Sequence, residues 1–277
     1  MRRLLLLLPL VFIIPDQQGG NSSSETIKFN DDPKVKLVEP DEMEKLAKSD
    51  PVGFIENCLR RYKREDKGYT LTFEKQERIN KKLQPNEVIA AKYRQEPFSV
   101  LLRWERGARM ADAILYVEGQ NQDKVDGQMK SMLLVHPSGV AGRLIQFVKR
   151  DPDGKEAKQS GRYTIKGFGL EQGMLLTWNS WKKAQKEDAL HVEYLGVVNL
   201  KEAGDRPCYK LRRTQYKQPE EDGITELTIY VDKETWLQIG SELKGEEGKW
   251  IAKYYFRDIR LNPELKDETF KPEALSR

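Results

Sequence analysis

The last fifty residues constrain the fold most strongly, because apolar and polar side chains alternate over residues 224–270. Short polar turns interrupt the alternation at residues 232–234 and 245–248. A period of two is typical of strands that bury one face, and short turns join such strands in antiparallel order. The segment is therefore predicted to be an antiparallel meander, and its apolar face needs a cover.

The rest of the chain contains many predicted strands and few predicted helices. A first helix is expected over residues 41–66, divided at Pro51, with Asp50 as the N-cap of its second part. A second helix is expected over residues 170–189. The remaining chain reads as roughly nine to eleven strands in all, which do not alternate regularly with helices. This order predicts an α+β fold rather than a doubly wound parallel sheet.

Composition excludes some functions. The 277 residues include 38% hydrophobic residues, which is enough for a substantial core. The 48 basic and 44 acidic residues are interspersed along the chain, whereas nucleic-acid binders concentrate positive charge. We therefore expect no nucleic-acid partner, and we expect a monomer.

The N-terminus has the pattern of an export signal. Two arginines precede an apolar run over residues 4–14, which is too short to cross a membrane comfortably. Residues 1–15 are accordingly predicted to be a signal peptide, or a signal anchor if cleavage fails. Residues 16–40 are polar and read as a flexible linker, and residues 41–277 as a single domain. An exported protein of the periplasm or cell envelope is expected.

Motifs for catalysis are sparse. His136 and His191 stand far apart without the spacing of metal ligands, and no nucleophile, phosphate-loop or dinucleotide motif occurs. Cys58 and Cys208 could form one disulfide or remain two separate thiols, and the sequence favours the second alternative. We expect no catalytic residue, no metal and no cofactor.

Large apolar side chains on the predicted strands are the positive signal. Strands are predicted over residues 88–94 and 98–104. Counted along residues 94–104, the even positions share one face, which places Arg94 beside apolar residues. A guanidinium there needs a partner, which could be Glu96 or a polar group of a ligand. Ordinary core packing is the alternative for most of these side chains. The predicted ligand-binding residues are Arg94, Phe98, Val100, Leu102, Trp104, Trp236, Tyr254 and Phe256.

Several of these segments resemble a known superfamily. Residues 92–99 (Lys-Tyr-Arg-Gln-Glu-Pro-Phe-Ser) and 113–119 (Ala-Ile-Leu-Tyr-Val-Glu-Gly) resemble two strands of the LolA/LolB-like periplasmic lipoprotein carriers. Residues 231–237 and 255–263 resemble the closing strands of the same superfamily. From about residue 50 onward, the chain also resembles an exported bacterial family of unknown function that is expected to share this fold.

The resemblance implies an incomplete, half-open antiparallel β-barrel whose concave apolar face is covered by helices. It also implies that Arg94 matches the arginine that holds the helical lid shut in the carrier. Our leading hypothesis is an exported, non-enzymatic protein that shelters a lipid or lipoprotein acyl chain, for which a membrane or a lipoprotein could be the partner. One alternative is a tethered envelope module whose core is filled by its own side chains. The other is a hydrolase whose carboxylate site is formed by the fold and leaves no sequence motif.

Overall fold

The computed structural model describes residues 29–217 and 223–276. The predicted signal peptide over residues 1–15, and the linker up to residue 28, lie outside the described residues. Within the described part, no helix combines the length and the apolar character that crossing a membrane requires.

One large sheet dominates the structure, and all of its pairings are antiparallel. Its strands are β1 (Gly68–Ile79), β2 (Lys82–Leu83), β3 (Glu87–Arg94), β4 (Ser99–Arg106), β5 (Ala111–Val117), β8 (Leu133–Pro137), β9 (Val148–Arg150), β10 (His191–Leu200), β11 (Arg206–Thr214), β12 (Glu226–Asp232), β13 (Gln238–Lys244) and β14 (Trp250–Leu261). A separate hairpin is formed by β6 (Gln122–Val125) and β7 (Gln128–Ser131).

The strand order leaves the sheet open. It runs β10-β11-β12-β13-β14-β1-β3-β4-β5-β8-β9, with β2 paired to β1, so that β10 and β9 are its two ends in the described part of the chain. The predicted α+β fold with a half-open antiparallel sheet is confirmed. Twelve strands exceed the expected number because pieces such as β2 and β9, of two and three residues, are too short to show a period.

Five α-helices accompany the sheet within residues 29–217 and 223–276. They are α1 (Met43–Ser49), α2 (Pro51–Glu65), α3 (Gly139–Leu144), α4 (Lys155–Ser160) and α5 (Leu170–Lys186). The predicted division at Pro51 is confirmed, because the Asp50 carboxylate accepts a hydrogen bond from the Gly53 N–H at 2.9 Å and caps α2. The predicted second helix corresponds to α5.

The helices α2 and α5 pack on one face of the sheet, here called the inner face. The Phe54 ring of α2 lies edge-on to Tyr209 of β11, with 5.6 Å between ring centroids. Thr177 of α5 donates a hydrogen bond to the Gln238 side chain of β13 at 3.0 Å. Trp181 of α5 is fully buried. Each such large apolar side chain stabilises the fold by about 1.5–3 kcal/mol, which fixes the helices on this face.

Residues 29–40 contact the domain through a buried ring and an ion pair. The buried Phe29 ring packs edge-on against Trp178 at 5.3 Å between centroids. The Asp31 carboxylate accepts two hydrogen bonds from the Arg64 guanidinium of α2, at 2.7 and 2.8 Å. This bidentate pair and the buried ring attach the segment to the domain.

The opposite, outer face carries its own cover. The meander ends at Leu261, and the following chain turns back over β4, β5 and β8 as a strap formed by residues 265–275. The strap and the sheet share a small second core, which consists of Leu101, Ala113, Leu115, Val117, Leu134, Phe270, Ala274 and Leu275. The meander predicted over residues 224–270 extended too far, because the sparse apolar residues after Leu261 form this strap instead of a further strand.

Candidate functional site

The predicted strands over residues 88–94 and 98–104 correspond to β3 and β4, but the placement of Arg94 on the same face as Val100 and Leu102 is wrong. The strand β3 ends at Arg94 and β4 begins at Ser99, with a turn between them that contains Pro97. Proline lacks the N–H that a central strand donates to its neighbour, which favours a break at this position. Arg94 and Ser99 are directly paired across the hairpin, so both side chains lie on the outer face, whereas Val100 and Leu102 lie on the inner face.

Arg94 therefore contacts neither Glu96 nor the helices. Its Nη1 donates to Asp267 Oδ1 at 2.6 Å, and its Nη2 donates to Ser99 Oγ at 3.2 Å. Its guanidinium also lies 4.7 Å from the centre of the Phe270 ring. These partners belong to the strap and to β4, so Arg94 fastens the strap to the outer face. It cannot hold the helices in the way that the resemblance implies.

A continuous row of aromatic side chains crosses the inner face. Tyr69 of β1 stacks on Tyr93 of β3 with 4.6 Å between centroids. Phe98, in the β3–β4 turn, lies edge-on to Tyr93 at 5.7 Å and to Tyr116 of β5 at 5.8 Å. Antiparallel pairing produces this row, because it brings Tyr69, Tyr93, Val100 and Tyr116 side by side on four neighbouring strands.

A second row lies parallel to the first. Phe73 of β1 stacks on Phe256 of β14 at 4.9 Å and on Tyr254 at 6.1 Å. On the other side of Phe73, Ile89 of β3 is its pairing partner, and Trp104 of β4 is in turn paired with Ile89. We call these two rows, together with Leu102 between them, the aromatic face.

Of the predicted binding residues, the structure brings together Phe98, Val100, Leu102, Trp104, Tyr254 and Phe256 on the aromatic face. Trp236 lies elsewhere, in the β12–β13 turn, where the Arg61 guanidinium is 4.6 Å from its ring. It lines a separate groove of about 340 Å³ together with Leu37, Val38 and Pro40 of the N-terminal segment.

Residues 151–169, here called the cover segment, lie over part of the aromatic face. Phe168 lies 5.7 Å from Phe73 between ring centroids, Tyr163 lies 6.2 Å from Tyr254, and Ile165 is buried. Its helix α4, in contrast, has no buried residue. These three apolar side chains therefore belong to the contact between the cover segment and the sheet, and Pro152 of the segment is also buried.

Polar contacts at the edges of the cover segment are exposed or partly buried. Arg109 of the β4–β5 turn donates to the Ser160 carbonyl at 2.9 Å, and Lys130 lies 3.5 Å from the Asp151 carboxylate. The N–H of Asp153 donates to Asp151 at 2.9 Å, which, with Lys130, lowers the pKa of the Asp151 carboxyl. Exposed ion pairs contribute only about 0–1 kcal/mol each. Segments with few buried contacts open at much lower cost than the whole fold.

A polar cluster ends the second row. Glu77 and Glu87 are both 4% exposed, and Lys75 lies between them, with Nζ at 3.1 Å from Glu77 Oε2 and 3.9 Å from Glu87 Oε2. The Tyr254 hydroxyl donates to Glu77 at 2.9 Å, and the Trp104 indole N–H donates to Glu87 at 2.6 Å. Burial, followed by the charge of Glu77, raises the pKa of Tyr254, so that its hydroxyl remains a neutral donor.

The sequence analysis missed this cluster because charged residues in a strand are usually placed on the solvated face. The signal that could have found it is the spacing of two, which puts Phe73, Lys75 and Glu77 on the same face of β1. Since cations and hydrogen-bond donors surround both carboxylates, the cluster compensates its own charge and marks the polar limit of the aromatic face.

Other titratable groups in the described ranges do not form a metal site, since no three His, Cys, Asp or Glu side chains there lie close enough to share an ion. His136 contacts the Gln146 carbonyl through Nδ1 at 2.7 Å. Cys58 and Cys208 are both buried free thiols. Burial raises the pKa of both thiols, that of Cys208 to about 12.

Solved structures with a similar fold come from several bacteria. The MucA/MucB complex of Pseudomonas aeruginosa matches with a TM-score of 0.43 and 15% identity, over 81% of this chain and 62% of that one. A LolA superfamily protein of Nitrosomonas europaea matches with a TM-score of 0.30 and 9% identity, over 79% and 98%. The lipoprotein LppX of Mycobacterium tuberculosis matches with a TM-score of 0.38 and 9% identity, over 78% and 99%.

These likenesses are too distant to carry a functional argument. No curated protein matches the chain. The predicted membership of a family of unknown function is confirmed, because the model of the family described as protein of unknown function DUF1571 matches residues 66–275. The chain belongs to the DUF1571 family.

Proposed function

We propose that the protein is a non-enzymatic binding protein that shelters an apolar ligand, a lipid or acyl chain, on the aromatic face beneath the cover segment. The observation that carries this proposal is the combination of a wide aromatic surface with a cover that is held by few buried contacts. A surface that served only as core would be expected to lie under an element with a continuous apolar stripe, as it does under α2 and α5.

A ligand would compete with the cover segment for the aromatic face. Tyr163, Ile165 and Phe168 occupy the place that an apolar chain would take. Phe98 and Trp104 are already half-buried rather than buried, so part of the aromatic face is open to solvent. Burial of apolar surface contributes about 25 cal/mol per Å², against the cost of ordering the ligand and moving the cover segment.

The setting that we propose is the cell envelope. The apolar run at residues 4–14 behind two arginines supports export, and a membrane or a lipoprotein would then be the source of the ligand. Arg94 has no part in this binding proposal, because its side chain lies on the outer face. Val100 and Leu102 form the floor of the site, and Tyr254 and Phe256 form one wall.

A second candidate function is an envelope interaction module that binds no small ligand. The packing of α5 favours it, because Leu170, Met174 and Trp181 are fully buried and fill the inner face around them. If the cover segment closed the remaining part permanently, the interior would be filled by the protein's own side chains.

Native mass spectrometry of the full chain purified from its own cell envelope, with extraction of the bound material, separates the two candidates. We expect a discrete added mass in the lipid range. Phe98→Asp should reduce the occupied fraction, since it places a charge on the aromatic face, whereas Leu176→Asp on the exposed side of α5 should retain it. An unliganded wild-type protein that also takes up no added oleate would contradict the binding proposal and support the interaction module.

A further inference from the structure

Tyr62, the last buried residue of α2, has a hydroxyl group without a partner. The residue is 2% exposed, and no described residue forms a hydrogen bond with its Oη atom. Buried tyrosine hydroxyls normally have a partner, because an unpaired polar group in an apolar interior is costly. This unpaired donor therefore needs an acceptor from outside the described chain.

The Tyr62 side chain lies where the first aromatic row meets the start of α5. Lys63 pairs with Glu171 at 2.9 Å, which sets the end of α2 beside the first turn of α5. The Tyr69 hydroxyl accepts a hydrogen bond from the Leu170 N–H at 3.1 Å. The Tyr69 oxygen is thus an acceptor, and its O–H remains available to donate in the described part of the chain.

Tyr93 completes a group of three neighbouring phenols. Its ring stacks on that of Tyr69 at 4.6 Å between centroids. Burial, followed by the charge of Glu171, raises the pKa of Tyr93 to about 12, and the nearby Tyr62 hydroxyl opposes this rise. Burial also raises the pKa of Tyr62 and of Tyr69. All three hydroxyls therefore remain neutral donors at physiological pH. We call Tyr62, Tyr69 and Tyr93 the tyrosine group.

The cover segment ends at the tyrosine group. A Cβ atom on Gly169, its last residue, would lie 2.9 Å from the Tyr69 hydroxyl oxygen and 3.6 Å from the Tyr93 ring. Gly169 has φ 138° and ψ 163°, a conformation that is essentially restricted to glycine. The backbone approaches the hydroxyl this closely because it carries no side chain there. Movement of the cover segment away from the aromatic face would therefore uncover the tyrosine group as well.

We infer that the tyrosine group binds the polar end of the apolar ligand, and that this end is a neutral carbonyl oxygen such as that of an ester. The inference rests on the proposed function, since the apolar chain would lie along the first aromatic row from this point. A carbonyl oxygen accepts two hydrogen bonds, and the O–H groups of Tyr62 and Tyr69 supply two donors.

The charges around the tyrosine group disfavour an anionic ligand. After burial and the neighbouring tyrosines, the negative charges of Glu171 and Asp66 raise the pKa of Tyr62 further. The nearby Lys63 is already paired with Glu171. A carboxylate would lose its hydration here without gaining a cation, whereas a carbonyl needs only hydrogen bonds. A fatty acid anion should therefore bind less tightly than its ester.

The test is competition among methyl oleate, oleate and the hydrocarbon 1-octadecene for the full chain at pH 8. The lipids that remain bound after gel filtration are extracted and counted by mass spectrometry. We expect the wild type to retain several times more methyl oleate than oleate. Tyr62→Phe should lower the preference for methyl oleate over octadecene about fivefold, which is the contribution of one typical hydrogen bond.

The matched control is Tyr194→Phe, which removes the same group from β10, beside Lys48 of α1. It should keep the preference of the wild type. Tyr62→Phe should also unfold in urea at the same or a higher concentration than the unliganded wild type, because it removes a hydroxyl that has no partner.

Equal retention of methyl oleate and oleate, or a wild-type preference for the ester over octadecene in Tyr62→Phe, would overturn the inference while apolar binding stands. Lower stability of unliganded Tyr62→Phe would also overturn it, since the hydroxyl would then have a partner within the fold. Retention of none of the three lipids by the wild type would contradict the proposed function and this inference with it.

Discussion

Replacing Asp66 by asparagine should stabilise the folded protein at neutral pH. Asp66 follows the last residue of α2 and is 4% exposed. Burial, and then the charge of Glu65, raises the pKa of its carboxyl from 3.8 to about 6. The C-terminal end of a helix also disfavours a negative charge. Ionisation of Asp66 is therefore unfavourable in the folded state.

The sign and the size follow from linkage. Below about pH 3 the carboxyl is largely neutral in both states and has little effect on stability. Between about pH 4 and pH 6 the folded protein retains a proton that the unfolded chain releases, so the free energy of unfolding falls as pH rises. Two units of pKa correspond to about 3 kcal/mol as an upper limit, and we expect a loss of about 1–3 kcal/mol that is complete above pH 6.

Urea unfolding from pH 4 to pH 8 measures this loss. The advantage of Asp66→Asn over the wild type should grow from near zero at about pH 4 to about 1–3 kcal/mol at pH 7.5. Asp41→Asn is the matched control, because Asp41 is exposed and its replacement should change stability by about 0.5 kcal/mol or less. A difference between Asp66→Asn and wild type that is independent of pH would refute the reasoning.

Three further predictions concern other elements. Phe168→Ala should increase hydrogen exchange of the amides in residues 155–169 by about tenfold without comparable change in β1, because the ring anchors the cover segment; uniform faster exchange would contradict this. Cys58 and Cys208 should not react with a thiol reagent at pH 8 until urea unfolds the protein, when two thiols should be counted, since burial raises both pKa values; rapid native labelling or a missing thiol would be inconsistent. Asp50→Ala should destabilise the fold by about 1 kcal/mol in urea unfolding through loss of the cap of α2, and no change would show that the cap is dispensable.

Local signals in the sequence predicted much of the fold. Proline at the first helical position and an aspartate before it defined the start of α2, because both effects act within one turn of the chain. Alternation identified the long strands for the same reason. The structure confirms that these strands form one open antiparallel sheet with helices on its inner face.

The candidate site was predictable only in part. Val100, Leu102 and Trp104 lie on one face because a strand alternates strictly over five residues. Arg94 was assigned to the wrong face because the turn at Pro97 interrupts the alternation of side chains. The face of each residue before the turn therefore does not follow from the face of the residues after it.

Contacts between residues that are far apart in the chain could not be predicted from the sequence. Arg94 and Asp267 are separated by 173 residues, and Tyr254 and Glu77 by 177. Neither pair shows a local pattern, since each becomes close only through the order of the strands. The function of the aromatic face as a binding site stays a proposal that measurement has to decide.

Photochemical labelling tests the central claim most directly. The full chain would be irradiated with a fatty acid that carries a diazirine in its chain, and the labelled peptides would be mapped by mass spectrometry. We predict labels on Phe98 or Trp104 and on the cover segment, and competition by unlabelled oleate. Labels confined to the exposed side of α5, or labelling that oleate does not reduce, would contradict a ligand site on the aromatic face.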